Sequence, residues 1–181
     1  PGRRGTKVSV SLVFRRGVKR DGTVPLLQYA YGSDGSSTDP WFQLEALSLL
    51  DRGFVFAIAH VRGGQELGRG WYEDGKLLNK QNTFSDFVDV TRFLVKERYA
   101  DPKRVFANGV SAGGLLMGAI ANQAPRDYRG IIAEVPFVDA VTTMLDTSIP
   151  LTTNEFDEWG NPAQKAYYDC ILAYSPYDLS L

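Results

Sequence analysis

Hydrophobic and polar residues alternate over "VSVSLVF", where Val8, Val10, Leu12 and Phe14 fall on one face of an extended chain. This period of two predicts a strand over residues 8–14 with one buried side. "KRVFANG" (103–109) predicts a short strand, and three apolar runs without alternation also follow: "PLLQYAYG" (25–32), "FVFAIAH" (54–60) and "GIIAEVPF" (130–137). Such runs predict buried strands, and "FVFAIAH" has the pattern expected in the middle of a parallel sheet.

Between these strands the apolar residues recur at intervals of three and four, which is the spacing of a helix. "WFQLEALSLLDRG" carries Phe42, Ala46, Leu49 and Leu50 in this way, and "TFSDFVDVTRFLVKERY" does so after Thr83, its predicted N-cap. A third helix is predicted over residues 112–122. The glycine-rich, charged stretch "VRGGQELGRGWYEDGKLLNKQN" predicts a long loop, and the proline-containing remainder after residue 137 predicts short helices and loops.

Alternating strands and helices predict an α/β fold with a mostly parallel sheet and helices on both faces. A chain of 181 residues, 44% of them hydrophobic, suffices for one domain with a core. The net charge of −1 gives no electrostatic argument for binding nucleic acid or a membrane. Residues 1–20 are basic and the chain from Ser111 onward is acidic, so a charged ligand of the second half would be cationic; two solvated faces of opposite sign are the alternative.

Cysteine content and apolar length bear on the compartment. Cys170 is the single cysteine, which suits a reducing compartment and predicts a cytoplasmic protein. No apolar run approaches the roughly 18 residues that a membrane span needs. The opening "PGRRG" has no methionine and no apolar signal, so we expect a processed product or a piece of a longer protein.

The stretch "RVFANGVSAGGLLMGAIAN" carries the candidate chemistry, because Gly109, Ser111 and Gly113 form G-x-S-x-G between a predicted strand and a predicted helix. A turn this tight strains the serine backbone and excludes side chains two residues before and after it. The helix start would offer the Ala112 N–H to an oxyanion above Ser111. The alternative is a tight strand-to-helix turn with a serine at its tip.

A serine nucleophile needs a base, and the base needs an orienting carboxylate. The single histidine, His60, precedes Ser111, whereas in this fold the order is serine, acid, histidine. His60 ends a strand, so it lies either near the ligand-binding rim or, as we favour, is a packed or hydrogen-bonded strand-end histidine. The chain is therefore expected to be truncated before a triad closes.

Several motifs resemble the catalytic domain of the oligopeptidase B branch of the prolyl oligopeptidase family of serine peptidases. They are "HVRGGQELGRGWYEDGK", "NTFSDF", "SAGG", "VPFVDAVTTMLD", "SIPLTTNEFDEWGNP" and "YSPYD", within a similarity running over residues 5–178. The resemblance implies an α/β-hydrolase domain, a β-propeller in full-length members, cleavage of short peptides after Arg or Lys, and neither cofactor nor metal. Residues 1–181 would then be a partial catalytic domain without the propeller and the segment bearing the aspartate and histidine, and inactive alone.

The resemblance also implies roles for individual residues. Ser111 matches the nucleophile, and Tyr31 matches the tyrosine whose hydroxyl joins a backbone N–H in the oxyanion hole; the alternative for Tyr31 is an aromatic side chain packed at a strand end. The family usually has glycine at the position of Val110. Asp39 matches one of two acids that favour a basic residue at the second position before the cleaved bond, and the other falls at Trp41.

The segment "NEFDEWGNP" carries the specificity argument. Glu155, Asp157 and Glu158 place three carboxylates within four residues, beside Phe156 and Trp159. Such a group could pair with a guanidinium or ammonium while aromatic surface covers its stem. The family's acidic pair matches Glu155 and Asp157, and an exposed acidic loop is the alternative.

Two other functions stay open on the sequence. An esterase or acyl-peptide hydrolase would use the same elbow with a neutral substrate. A non-catalytic α/β-hydrolase-like module that binds peptides or partners would need no base at all.

Overall fold

The computed structural model describes residues 5–180. In this range five strands form one mixed sheet in the order β1-β3-β2-β4-β5. The strands are β1 (Ser9–Val13), β2 (Leu26–Tyr29), β3 (Val55–His60), β4 (Val105–Val110) and β5 (Gly130–Glu134). Strands β2, β3, β4 and β5 run parallel to one another. Strand β1 pairs with β3 and runs antiparallel to it. The predicted α/β fold with a mostly parallel sheet is confirmed.

Helices cover both faces of the sheet, as predicted. They are α1 (Leu44–Asp51), α2 (Arg69–Glu73), α3 (Gln81–Lys96), α4 (Ala112–Gln123), α5 (Ala140–Leu145), α6 (Phe156–Trp159), α7 (Lys165–Leu172) and α8 (Pro176–Leu179), with 3-10 turns at Leu77–Asn79 and Pro125–Asp127. On one face, Ala57 and Ala59 of β3 join the main core with residues of α3 and α4. On the other, Phe56 and Ile58 pack with Ala46 of α1. The alternation along β3 therefore separates two cores.

Two of the strand predictions meet different outcomes. All six residues of β3 are buried, as the continuous apolar run predicts. A strand is confirmed at Gly130–Glu134 within the run 130–137, but the prediction that it is buried is wrong, because β5 forms one edge of the described sheet and Ile132 is 50% exposed. A strand paired on one side and covered incompletely leaves its apolar side chains accessible, whatever their pattern.

The predicted long loop after β3 is wrong, since it contains α2 and the turn Leu77–Asn79. Tertiary contacts order it: Arg62 forms a buried ion pair with Asp86 at 2.6 Å, and Trp71 Nε1 donates to the His60 carbonyl. Thr83 is not an N-cap, because α3 begins before it and its Oγ1 donates to the Arg62 carbonyl at 2.7 Å. The Thr83 hydroxyl thus hydrogen-bonds to the neighbouring loop and does not cap its own helix.

Other expectations concern the chain's surface and ends. Helix α1 begins at Leu44, so Phe42 precedes it and is 76% exposed. No helix in the described part of the chain is long and apolar enough to cross a bilayer. Of the basic amino-terminal segment, Arg3 and Arg4 lie outside the described residues.

Candidate active site

Ser111 lies between the end of β4 and the start of α4, with φ 57° and ψ −114°. A residue with a side chain rarely adopts a positive φ, and strain of this kind persists only where the surroundings enforce it. Here the Ser111 N–H donates to the Glu134 carbonyl of β5 at 2.9 Å, while the residue itself remains exposed. The backbone therefore holds the hydroxyl clear of its neighbours at the carboxyl edge of the parallel strands.

The two glycines that flank Ser111 are sterically required. A Cβ on Gly109 would lie 2.3 Å from the Gly113 carbonyl oxygen, and a Cβ on Gly113 would lie 2.8 Å from the Ala30 carbonyl oxygen. Both contacts are with backbone, which cannot rotate away as a flexible side chain does. The elbow thus packs against the segment that follows β2, which also carries Tyr31.

Replacing Gly113 by alanine is expected to destabilise the fold by about 1–3 kcal/mol, because an added methyl group must push apart two packed backbones. Gly70→Ala is the matched control, since Gly70 lies in α2 and a Cβ there meets nothing within 4 Å. Thermal unfolding followed by tryptophan fluorescence measures the difference. Equal unfolding temperatures for the two variants would contradict the steric account.

Two hydrogen-bond donors are available near Ser111. Ala112 is the first residue of α4, and the N–H of such a residue has no acceptor within its own helix. The Tyr31 hydroxyl lines the same cavity and donates to Asp34 Oδ2 at 2.8 Å. Burial raises the pKa of Tyr31 and Asp34 raises it further, whereas the Ser111 hydroxyl lowers it. The phenol thus stays protonated and able to donate.

A cavity of about 260 Å³ opens beside the Ser111 hydroxyl. Ser111, Ala112, Tyr31, Asp34 and Glu155 are among its lining residues, and the others are mostly apolar: Phe137, Met144, Ile149, Pro150, Leu151 and Trp159, with Thr143 and Thr152. Glu155 is half-buried at the start of α6, where its Oε2 accepts a hydrogen bond from Trp159 Nε1 at 2.8 Å. A fixed carboxylate in a largely apolar cavity suits a cation on an apolar stem.

The other acids proposed from the sequence lie elsewhere. Asp157 is exposed on α6 and is not among the lining residues of the cavity. Glu158 is buried and points its Oε1 to Lys80 Nζ at 3.3 Å. Asp39 is exposed and lines a separate cleft of about 350 Å³. Of the six predicted site residues, the structure therefore brings together Ser111, Ala112, Tyr31 and Glu155.

Lys80 is a fully buried cation that the sequence analysis did not identify. Its Nζ donates to the Gly32 carbonyl at 2.7 Å, to Ser33 Oγ at 2.6 Å and to Glu158. Burial lowers the pKa of Lys80 and raises the pKa of Glu158. Lys80 thereby joins the segment after β2 to α6, and residues of both elements line the cavity.

His60 lies in the second cleft, away from Ser111. Its ring Nε2 is 2.8 Å from Ser11 Oγ, its Nδ1 is 3.6 Å from Glu66 Oε1, and it is 7% exposed. This confirms the favoured interpretation of His60 as a hydrogen-bonded histidine at a strand end.

Asp34 is the other residue that the sequence analysis missed. It stands three residues after Tyr31 in "YGSDG", and this short spacing within a turn was the available signal.

Comparison with known proteins places the chain among peptidases. It matches the prolyl oligopeptidase family over residues 40–180. Over 179 residues it is 66% identical to dipeptidyl aminopeptidase BI of Pseudoxanthomonas mexicana, covering 98% of this chain and 25% of that protein. It is 53% identical to Protease 2 of Moraxella lacunata, covering 98% of this chain and 26% of the relative.

Solved structures agree with this placement. Oligopeptidase B from Leishmania major superposes with a TM-score of 0.95 at 50% identity, over 98% of this chain and 25% of that one. Oligopeptidase B from Trypanosoma brucei with covalently bound antipain, in its closed form, gives 0.95 at 46% identity with the same coverage. The chain thus spans about a quarter of the length of these proteins.

Proposed function

The chain belongs to the prolyl oligopeptidase family, and from this premise we propose that it is part of the α/β-hydrolase catalytic domain of a serine peptidase. The peptidase cleaves short peptides after Arg or Lys through an acyl-enzyme on Ser111. The observation that carries the proposal is one cavity, lined mostly by apolar residues, that holds both Ser111, at a positive φ, and the carboxylate of Glu155.

In the first step the Ser111 Oγ attacks the carbonyl carbon of the scissile peptide bond and gives its proton to a base. The carbonyl oxygen becomes an oxyanion, which the Ala112 N–H and the Tyr31 hydroxyl stabilise. Collapse of this intermediate breaks the C–N bond, the protonated amine leaves, and an ester on Ser111 remains. Water then attacks the ester by the same route and releases the acid.

The residue before the scissile bond enters the cavity. Its aliphatic stem contacts walls such as Leu151 and Trp159, and its charged end approaches Glu155. A charge pair at ~4 Å is worth about 4 kcal/mol at an effective dielectric near 20, before desolvation is subtracted. The part of this energy that remains after desolvation is what would favour a basic side chain over a neutral one.

We propose that the remaining parts of the catalytic machinery belong to segments of the full-length protein beyond residues 1–181. These are the β-propeller and the segment bearing the aspartate and histidine of the triad. His60 is engaged by Ser11 and faces another cleft, so it does not serve as the base. We accordingly expect negligible turnover from the 181-residue chain alone. The free thiol of Cys170 fits a cytoplasmic protein.

Glu155→Gln is expected to lower kcat/KM for an arginine p-nitroanilide by about 10- to 100-fold in the full-length protein, because a charged hydrogen bond to the substrate is lost. The value for a leucine p-nitroanilide should stay within about twofold, since its side chain makes no such pair. Asp157→Asn, on the same helix but outside the cavity, is the matched control. An equal loss on both substrates would contradict the assignment of Glu155.

An esterase or acyl-peptide hydrolase is the second candidate, favoured by the apolar residues that dominate the cavity lining. It predicts a preference for neutral acyl esters over arginine esters. It also predicts indifference to Glu155→Gln, so the same experiment separates the two functions.

A further inference from the structure

Asp34 follows β2 in a left-handed conformation, with φ 60°. Its carboxylate accepts the hydrogen bond of the Tyr31 hydroxyl at 2.8 Å and lines the cavity that holds Ser111 and Glu155. Among the described residues, Asp34 and Glu155 are the two acids that line this cavity. Acids from two distant segments therefore line the cavity that holds Ser111, and Asp157 is not among them.

The hydrogen bond between Tyr31 and Asp34 conflicts with the role proposed for Tyr31. A phenol has one proton, so a hydroxyl that donates to a carboxylate cannot donate fully to an oxyanion at the same time. A hydrogen bond to an ionised acceptor is also roughly twice as strong as one between neutral groups. In the structure, the donor needed for catalysis is thus held by Asp34.

We propose that Asp34 is a specificity-determining residue that makes the Tyr31 hydroxyl available to the oxyanion only when a cationic side chain pairs with Asp34 and Glu155. This inference rests on the proposed function and deepens it. The substrate class is a peptide with a guanidinium or ammonium before the scissile bond. The substrate cation replaces the Tyr31 hydroxyl as the hydrogen-bond partner of the Asp34 carboxylate. The Tyr31 hydroxyl then donates to the developing oxyanion.

The chemistry of the groups favours this exchange. A guanidinium offers five N–H donors and can serve both carboxylates at once. A charged donor replaces a neutral phenol at Asp34, so the carboxylate gains by the exchange. The Tyr31 hydroxyl gains a partner that exists only as the reaction proceeds. An interaction formed only at that stage raises kcat and not merely binding.

The ionisation of Tyr31 agrees with its contacts. Burial raises its pKa, the neighbouring Asp34 carboxylate raises it further, and the Ser111 hydroxyl acts in the opposite direction. The Tyr31 hydroxyl therefore interacts with both the Asp34 carboxylate and the Ser111 hydroxyl. This is the placement needed by a group that leaves Asp34 and donates to the oxyanion at Ser111.

The decisive variant is Asp34→Asn in the full-length protein, because asparagine tolerates the left-handed backbone and removes the charge. For an arginine p-nitroanilide kcat/KM should fall about tenfold or more, as a charged hydrogen bond is lost. For a leucine p-nitroanilide kcat should rise about 3- to 10-fold, because Tyr31 is held less tightly. A fall or no change in the leucine kcat overturns the inference.

Repeating the Asp34→Asn substitution in a Tyr31→Phe variant tests whether its effect on kcat acts through the Tyr31 hydroxyl. There, Asp34→Asn should leave the leucine kcat unchanged, because no hydroxyl remains to be released. The same rise in both backgrounds overturns the proposed coupling.

Binding of benzamidine to the same protein provides a readout that needs no turnover. We expect its Kd to rise about tenfold with Asp34→Asn and with Glu155→Gln, and to stay unchanged with Asp157→Asn. A Kd unaffected by Asp34→Asn overturns the inference whatever the activity. Turnover of arginine substrates that survives Ser111→Ala would instead overturn the proposed function and leave the Asp34 result to be judged by binding.

Discussion

Ser111→Ala is expected to reduce kcat for an arginine p-nitroanilide by about 10⁴- to 10⁶-fold in the full-length protein, the loss typical of removing a serine nucleophile. The variant deletes one oxygen and leaves the cavity walls in place. Substrate binding should therefore persist, and the loss should appear in kcat while benzamidine binding stays within about twofold of the unsubstituted protein.

Ser48→Ala is the matched control for this experiment, because Ser48 is an exposed serine on α1, outside the cavity. It should leave kcat and KM unchanged. Undiminished turnover by Ser111→Ala would end the assignment of the nucleophile. A loss shared with Ser48→Ala would point to damage of the fold instead.

Lys80→Met is expected to destabilise the domain by about 3–5 kcal/mol, because it leaves Glu158 as a buried charge without its partner. The methionine also removes the donor to the Gly32 carbonyl and to Ser33 Oγ. For a domain of this size the unfolding temperature should fall by about 10 °C in a tryptophan-fluorescence melt. Catalytic loss should accompany it, since Lys80 connects the segment after β2 to α6 and both elements carry lining residues of the cavity.

The double variant Lys80→Met with Glu158→Gln tests the electrostatic cause. Removing both charges takes away the uncompensated carboxylate, so the pair should be more stable than Lys80→Met alone. Additive losses would show that the ammonium acts through packing and its backbone contacts. In that case the Lys80–Glu158 ion pair would not be what holds the segment after β2 to α6.

The elbow could be predicted from the sequence because its constraints are local. Gly109, Ser111 and Gly113 stand within five residues, and the close contacts at both glycines follow from the tightness of the turn. Strand β3 was equally accessible, because its continuous apolar run is the pattern of a central strand buried on both faces.

The rest of the site depends on contacts between segments distant in sequence. The segment after β3 has the composition of a loop, yet the Arg62–Asp86 pair and the Trp71 hydrogen bond order it. Likewise, residues 155–158 form one short helical turn, in which neighbouring side chains point in different directions. Only the packing of α6 decides that Glu155 faces the cavity and Glu158 faces Lys80.

Asp34 is a second example of a residue whose place in the cavity the sequence does not reveal. In the sequence it is one polar residue in the loop "GSDGSSTDP", which resembles any solvated turn. In the structure its backbone is left-handed and its carboxylate accepts the Tyr31 hydrogen bond, and it lines one cavity with Glu155 because distant segments pack together.

The central claim is that the Ser111 hydroxyl is an activated nucleophile at the edge of the sheet. Treating the full-length protein with diisopropyl fluorophosphate and mapping the adduct by peptide mass spectrometry tests it most directly. We predict a single phosphorylated serine at position 111, with loss of peptidase activity in proportion to labelling. A modified residue elsewhere, or a folded protein that does not react, would contradict the claim.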